Sequence, residues 1–135
     1  MTMMPARLNL ILWLLVTAIA INYVDRGALS VSAPLLAQEL ALPPDRMGLL
    51  FSAFFWSYAL FQLAAGWLVD RYDVKWVYAA GFALWSVATA TTGAVSSFAT
   101  LIVARLALGV GESVAYPACS RIIVRNFPED RRGLV

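Results

Sequence analysis

Long apolar runs separated by short polar turns set the pattern of this chain. The first run extends from Leu8 to Val24, is interrupted by Asp25-Arg26, and resumes uncharged from Gly27 to Gln38. The second covers Met47 to Val69 and the third Trp76 to Phe98. The fourth covers Leu101 to Val124 and carries Arg105, Glu112 and Arg121 inside it. A membrane-spanning helix needs about 20 predominantly apolar residues, so the pattern predicts helices at about 8–38, 45–69, 76–98 and 100–126. Pro43-Pro44 and the stretch from Thr92-Gly93 to Ser96-Ser97 mark turns. Short connections make neighbouring helices antiparallel. The expected fold class is therefore all-α, a polytopic membrane protein with four transmembrane helices.

Composition narrows the function classes. Of 135 residues 61% are hydrophobic and 13% charged. A water-soluble globule of this size could not hide that much apolar surface, which excludes a soluble enzyme domain, a disordered chain and a coiled coil. A net charge of +2 is too small to suggest nucleic acid. With no histidine, His-based general bases and most zinc sites are excluded, and no metal or cofactor is expected. The single Cys119 reads as a small buried hydrophobe. A signal-peptide reading of Arg7, the apolar stretch and Ala18-Ile19-Ala20 is disfavoured, because the apolar stretch runs on into further membrane segments.

The basic residues orient the chain. Arg7, Arg71, Lys75, Arg121, Arg125, Arg131 and Arg132 fall on one side of the predicted spans, and Arg46 alone falls on the other. By the positive-inside rule both termini are expected in the cytoplasm.

Four charges sit where lipid should be. Asp, Lys or Arg at a helix centre costs on the order of 2.5–3.5 kcal/mol on insertion scales, so Asp25, Arg26, Arg105 and Glu112 should face one another or a water-filled cavity. On a helix Arg105, Gly109, Glu112 and Tyr116 fall within about 40° of one line, a polar stripe about 16 Å long, with Gly109 leaving room between acid and base. Pro117 frees a backbone carbonyl in the preceding turn. Asp25-Arg26 admits two readings. The pair ends the first helix at the interface, or the helix continues through Gly27 to around Pro34 and buries it; Asn22 shares a face with Arg26. Tyr58, Gln62 and Gly66 form a stripe of spacing four, which is packing for Gln62 and Gly66, whereas the Tyr58 hydroxyl needs a partner. In the loop after the second run Gly66 permits close helix approach, and Asp70 can face a helix N-terminus or a basic group.

These residues carry a resemblance. Gly66-x-x-x-Asp70-Arg71-x-x-x-Lys75 resembles the loop signature between helices two and three of major facilitator superfamily transporters. Asn22-Tyr23-Val24-Asp25-Arg26 and Ser52-Ala53-Phe54-Phe55-Trp56-Ser57-Tyr58 are similar to the first and second helices of its anion:cation symporter family. Arg105-Leu106-Ala107-Leu108-Gly109-Val110-Gly111-Glu112, followed by Tyr116-Pro117-Ala118-Cys119-Ser120-Arg121 and Asn126-Phe127-Pro128-Glu129, resembles its fourth.

The resemblance implies transport of an organic anion, often a sugar acid, with protons, across a bacterial plasma (inner) membrane. It implies that Arg26, Tyr58 and Arg105 engage the anion, that Asp25 and Glu112 are protonatable carboxylates, and that Gly66, Asp70, Arg71 and Lys75 form a gating loop. It also favours the continuous first helix. Two departures stand out. The family loop usually has glycine where Asp73 stands. The family fold has twelve helices in two halves, whereas four are expected here, so the chain is expected to be a truncated N-terminal bundle (residues 1–135). Such a bundle would be inactive alone and apt to associate with the missing helices or with itself. Two rivals remain: a small four-helix proton-coupled exporter acting as an oligomer, and a non-transporting membrane subunit. An enzyme is not expected.

Overall fold

The computed structural model describes residues 5–94 and 97–134. The elements are α1 (Ala6–Glu39), α2 (Pro44–Arg71), α3 (Val74–Ala94), α4 (Phe98–Glu112), α5 (Ala115–Asn126) and a closing 3-10 turn at Glu129–Leu134. No strand occurs among the described residues.

Helix α1 runs unbroken through Asp25, Arg26, Gly27 and Pro34. The interfacial-stop reading of Asp25-Arg26 is thereby set aside. At 1.5 Å per residue its 34 residues extend about 51 Å, well beyond an apolar core of about 30 Å. It ends at a turn in which Ala41 adopts a left-handed φ of 47° and the Leu42 N–H bonds back to the Ala37 carbonyl at 3.0 Å. This 6→1 closure satisfies a terminal carbonyl, and Leu42 packs beneath it against Leu36. Pro44 then sits in the first turn of α2, where its missing N–H costs nothing.

Two boundaries differ from the sequence pattern. Thr92-Gly93 belongs to α3 rather than to a turn. The hydroxyls of Thr91 and Thr92 bond back to the carbonyls of Val87 and Ala88, at 2.8 and 2.9 Å, and so sit within the helix. Phe98 opens α4 instead of closing α3. Between α4 and α5 the helical ladder is interrupted at Ser113–Val114, one turn before Pro117, whose missing N–H leaves the Ser113 carbonyl without its helical donor.

Helix α4 is the centre of the bundle, with α2 on one side and α3 on the other. Two glycines 200° apart make this possible. A Cβ on Gly109 would sit 2.5 Å from the Phe54 carbonyl oxygen and 2.9 Å from the Tyr58 amide nitrogen of α2. A Cβ on Gly111 would sit 2.8 Å from both the Gly81 carbonyl oxygen and the Trp85 amide nitrogen of α3. The Gly109 spacing therefore serves α2 packing, not room between Arg105 and Glu112 as the stripe suggested. Helix α1 lies against the bundle mainly through side chains, burying Leu15, Asn22 and Leu29 at a spacing of seven.

The core has three tiers. Leu29, Leu42, Leu50 and Leu101 pack at one end, Phe54, Trp85, Ala88 and Leu108 in the middle, and Ala65, Val69, Val74, Val114 and Ala118 at the other. Outside them lies a shell of large apolar side chains, including Trp13, Val24, Val31, Trp56, Leu60, Leu63 and Trp76. Contiguous apolar surface on this scale is incompatible with water. Helices α1, α2 and the α4–α5 pair (Phe98–Asn126) are long and apolar enough to cross a membrane. Helix α3 is long enough at 21 residues, but Lys75, Tyr78, Ser86, Thr89, Thr91 and Thr92 lower its apolar character.

Candidate functional site

In the middle tier, the polar residues of α1 and α4 turn inward toward each other. Glu112 is completely buried, and its Oε2 accepts a hydrogen bond from Arg26 Nε at 2.8 Å. This pair joins α4 to α1 across 86 positions of sequence. The Arg26 guanidinium carbon lies 4.5 Å from the centroid of the Tyr58 ring and 5.3 Å from that of Phe54, so α2 supplies an aromatic platform for the cation. Tyr23 adds a third ring at 5.9 Å.

Capacity is left over in this arrangement. Arg26 Nη2, Glu112 Oε1 and both polar atoms of Asn22 are buried and make no hydrogen bond of good geometry, although the Asn22 amide lies beside Glu112 and the Tyr58 hydroxyl beside Arg26. Arg105 is 5% exposed, and its Nε has no partner. Among the described residues no carboxylate oxygen lies within 4.0 Å of its guanidinium, though Asp25 and Glu112 act on it electrostatically. Glu112 thus pairs with Arg26 and not with Arg105. Arg105 and Glu112 are seven positions apart, about 10.5 Å of helix rise, and make no direct contact. Buried polar groups are normally satisfied, so three donors and two acceptors left over in an apolar bundle describe a place for a polar guest.

Asp25 faces the other way. Its Oδ2 accepts a hydrogen bond from the indole Nε1–H of Trp85 on α3. Beside it lies a cavity of about 350 Å³ between α1, α3 and α4, whose walls include Asp25, Ser32, Glu39, Thr89 and Arg105. The Thr89 hydroxyl is also unpartnered. On α5 the Tyr116 hydroxyl donates to the Tyr23 hydroxyl at 2.8 Å, one turn from Glu112. Among the described residues no three His, Cys, Asp or Glu side chains converge as a metal site would require.

The structure therefore sets Arg26 against Glu112 and Tyr58, and places Asp25 and Arg105 on the wall of the neighbouring α1–α3–α4 cavity. Trp85, which spacing did not single out, joins them. The signal available in the sequence was its indole N–H, which needs an acceptor wherever it is buried.

The loop residues behave differently. Asp70 Oδ1 lies 3.5 Å from Arg121 Nη1 on α5, so it faces a basic group rather than a helix N-terminus. Gly66 does not mediate close packing: a Cβ there would meet nothing within 4 Å, because it faces a gap beside Pro117, Ser120 and Arg121. Arg71 and Lys75 are exposed. Asp73, at the position where the family loop usually has glycine, starts α3. Its Oδ1 accepts from the Lys75 N–H at 3.0 Å, and its carbonyl accepts from Trp76 and Val77.

Comparison with known proteins places these features in a family. The Major Facilitator Superfamily pattern matches residues 15–135. SauU of Cupriavidus necator, named a probable sulfoacetate transporter, is 40% identical over 113 residues, covering 84% of this chain and 26% of that protein. GarP of Escherichia coli K12, named a probable galactarate/D-glucarate transporter, is 38% identical over 130 residues, covering 92% and 29%. The hexuronate transporter of Bacillus subtilis is 33% identical over 129 residues, covering 96% and 30%. The chain spans less than a third of the length of these relatives, which are transporters and not enzymes. It belongs to the major facilitator superfamily of membrane transporters.

Proposed function

We propose that this chain supplies the anion-binding and proton-coupling helices of an organic-anion:proton symporter, with a sugar acid as substrate. The observation that carries this reading is the Arg26–Glu112 pair, held in an apolar bundle with Arg26 Nη2 and Glu112 Oε1 unused. An arginine fork matches a carboxylate in two parallel hydrogen bonds. While Glu112 is ionised it occupies one donor of that fork. A proton on Glu112 weakens the pair and releases Arg26 to the substrate carboxylate, so anion and proton enter together. Tyr58 presents its ring to the guanidinium and keeps it in place. Arg105, without a carboxylate within 4.0 Å, offers a second positive charge to the same substrate. Asp25, beside the α1–α3–α4 cavity, is the second proton carrier.

In this reading all four apolar segments cross the bacterial inner membrane, α3 among them, with both termini cytoplasmic. The Asp70–Arg121 contact, with Gly66, Arg71 and Lys75, forms the cytoplasmic gate. The chain works with further helices that cover its polar face. The names of SauU, GarP and the hexuronate transporter, all carriers of organic acids, support the substrate class.

The test is uptake of radiolabelled glucuronate or galactarate into proteoliposomes under an inward proton gradient. The 135-residue chain is run beside a chain of the relatives' length that carries it. Uptake by the long chain that Arg26→Gln abolishes is the expected result. No response of uptake to Arg26→Gln contradicts the reading. Oligomer-dependent uptake by the short chain alone would favour the small-exporter alternative.

A further inference from the structure

The chain has five tryptophans. Trp13, Trp56, Trp67 and Trp76 are each at least 60% exposed on the outside of the bundle, as tryptophans near a lipid boundary are. Trp85 is 2% exposed. Its backbone is pinned where α3 meets Gly111 of α4: a Cβ on Gly111 would lie 2.8 Å from its amide nitrogen and 2.9 Å from its Cβ. Its ring packs in the middle tier with Phe54, Ala88 and Leu108, and edge-on to Phe82 at 5.0 Å between centroids. From this fixed position the indole N–H reaches the Asp25 carboxylate of α1.

Indole Nε1–H is a donor only. It stabilises an ionised oxygen and offers nothing to a carboxyl proton. A hydrogen bond to the charged form of a carboxylate favours that form. The charged groups facing Asp25 are Arg105 and Glu112 of α4, with Arg26 beside it on α1 and Glu39 on the wall of the shared cavity. Arg105 favours the carboxylate, and Glu112 and Glu39 oppose it. Helix α3 brings no titratable group to this place, only the Trp85 N–H and the Thr89 hydroxyl.

We infer that Trp85 is a positioning residue for proton coupling. Clamped by the close α3–α4 glycine contact, its indole N–H holds the Asp25 carboxylate at the wall of the α1–α3–α4 cavity, where the carboxylate takes up and gives back its proton. The inference deepens the transport reading and rests on Asp25 carrying a proton there. It gives α3 a share in coupling through one hydrogen bond, without contact between α3 and the substrate.

The experiment is NMR on the 135-residue chain in lipid nanodiscs, with 15N in the indoles and 13C in the aspartate carboxyls. Trp85→Phe identifies the Trp85 indole signal, and Asp25→Asn identifies the Asp25 carboxyl. The expected result is a Trp85 indole signal that moves with pH in step with the Asp25 carboxyl and becomes pH-independent in Asp25→Asn. In Trp85→Phe the Asp25 carboxyl signal is expected to change position at a fixed pH, because the carboxylate has lost its indole donor.

A Trp85 signal identical in the parent chain and Asp25→Asn overturns the inference. So does an Asp25 carboxyl signal unchanged in Trp85→Phe at the same pH. Should Trp85→Phe fail to fold, the Asp25→Asn comparison decides the matter alone. The transport reading fails separately: coupled titration here, with proton-driven uptake by the long chain indifferent to Asp25→Asn, would refute Asp25 as a carrier and leave Trp85 as its structural donor.

Discussion

Breaking the Arg26–Glu112 pair from either side leaves a stranded group. In Glu112→Gln the guanidinium keeps its charge and loses the opposing one 2.8 Å away. In Arg26→Gln a fully buried carboxylate loses its counter-ion. At an effective dielectric of 20 two unit charges at that separation attract by about 6 kcal/mol, much of it offset by desolvation. Removing one member of a buried pair typically costs about 3–5 kcal/mol. The Arg26 side chain is 21% exposed, so polar surroundings reach it and each single substitution should cost about 3 kcal/mol, the low end. The double substitution leaves two neutral amides able to bond each other and should cost little more than either single change. A double-mutant cycle, read from SDS-driven unfolding in mixed micelles by circular dichroism, should therefore give a coupling of at least about 2 kcal/mol. Coupling below about 0.5 kcal/mol, the range of independent sites, would refute the idea that this pair ties α1 to α4.

Three further outcomes follow from local geometry. Gly109→Ala should destabilise the chain by about 1–3 kcal/mol in the same assay, because its Cβ meets α2 backbone, whereas Gly66→Ala should be neutral or stabilising by up to about 1 kcal/mol; equal effects would contradict the packing. Asp73→Ala should cost about 1 kcal/mol through loss of the side-chain bond at the start of α3, and hydrogen exchange of the Lys75 amide should quicken; unchanged exchange would count against that cap. In right-side-out vesicles, Lys75→Cys should resist membrane-impermeant thiol reagents and Arg46→Cys should react; the reverse pattern would invert the topology.

How much of this was written in the sequence varies by residue. Hydrophobic run length located the helices, because a continuous apolar stretch reports a lipid-length element directly. It could not decide whether α1 passes through Asp25-Arg26, since 17 apolar residues before the pair nearly suffice to cross. The continuity of α1 comes from inter-helix partners, Glu112 for Arg26 and Trp85 for Asp25, which lie 86 and 60 positions away. The angular stripe on the fourth segment grouped Arg105 with Glu112 by face, but a helical wheel discards rise, and about 10 Å of axis lies between the two. Gly109 and Gly66 look equivalent as letters in motifs. One meets the α2 backbone and the other faces a gap, a difference that depends on how helices cross. Thr92-Gly93 read as a turn by composition, yet threonine hydroxyls can bond back to the helix that contains them.

In the proposed mechanism Glu112 and the substrate carboxylate compete for Arg26, which makes Glu112 the coupling between proton and anion. The most direct measurement compares Glu112→Gln with the parent sequence in a chain of the relatives' length, reconstituted in proteoliposomes. Two quantities are read: accumulation of radiolabelled sugar acid under a proton gradient, and exchange of labelled for unlabelled substrate without one. Glutamine mimics the protonated acid and leaves Arg26 permanently available. Exchange should therefore persist while gradient-driven accumulation disappears. Accumulation above equilibrium by Glu112→Gln, at a rate like that of the parent, would contradict the account.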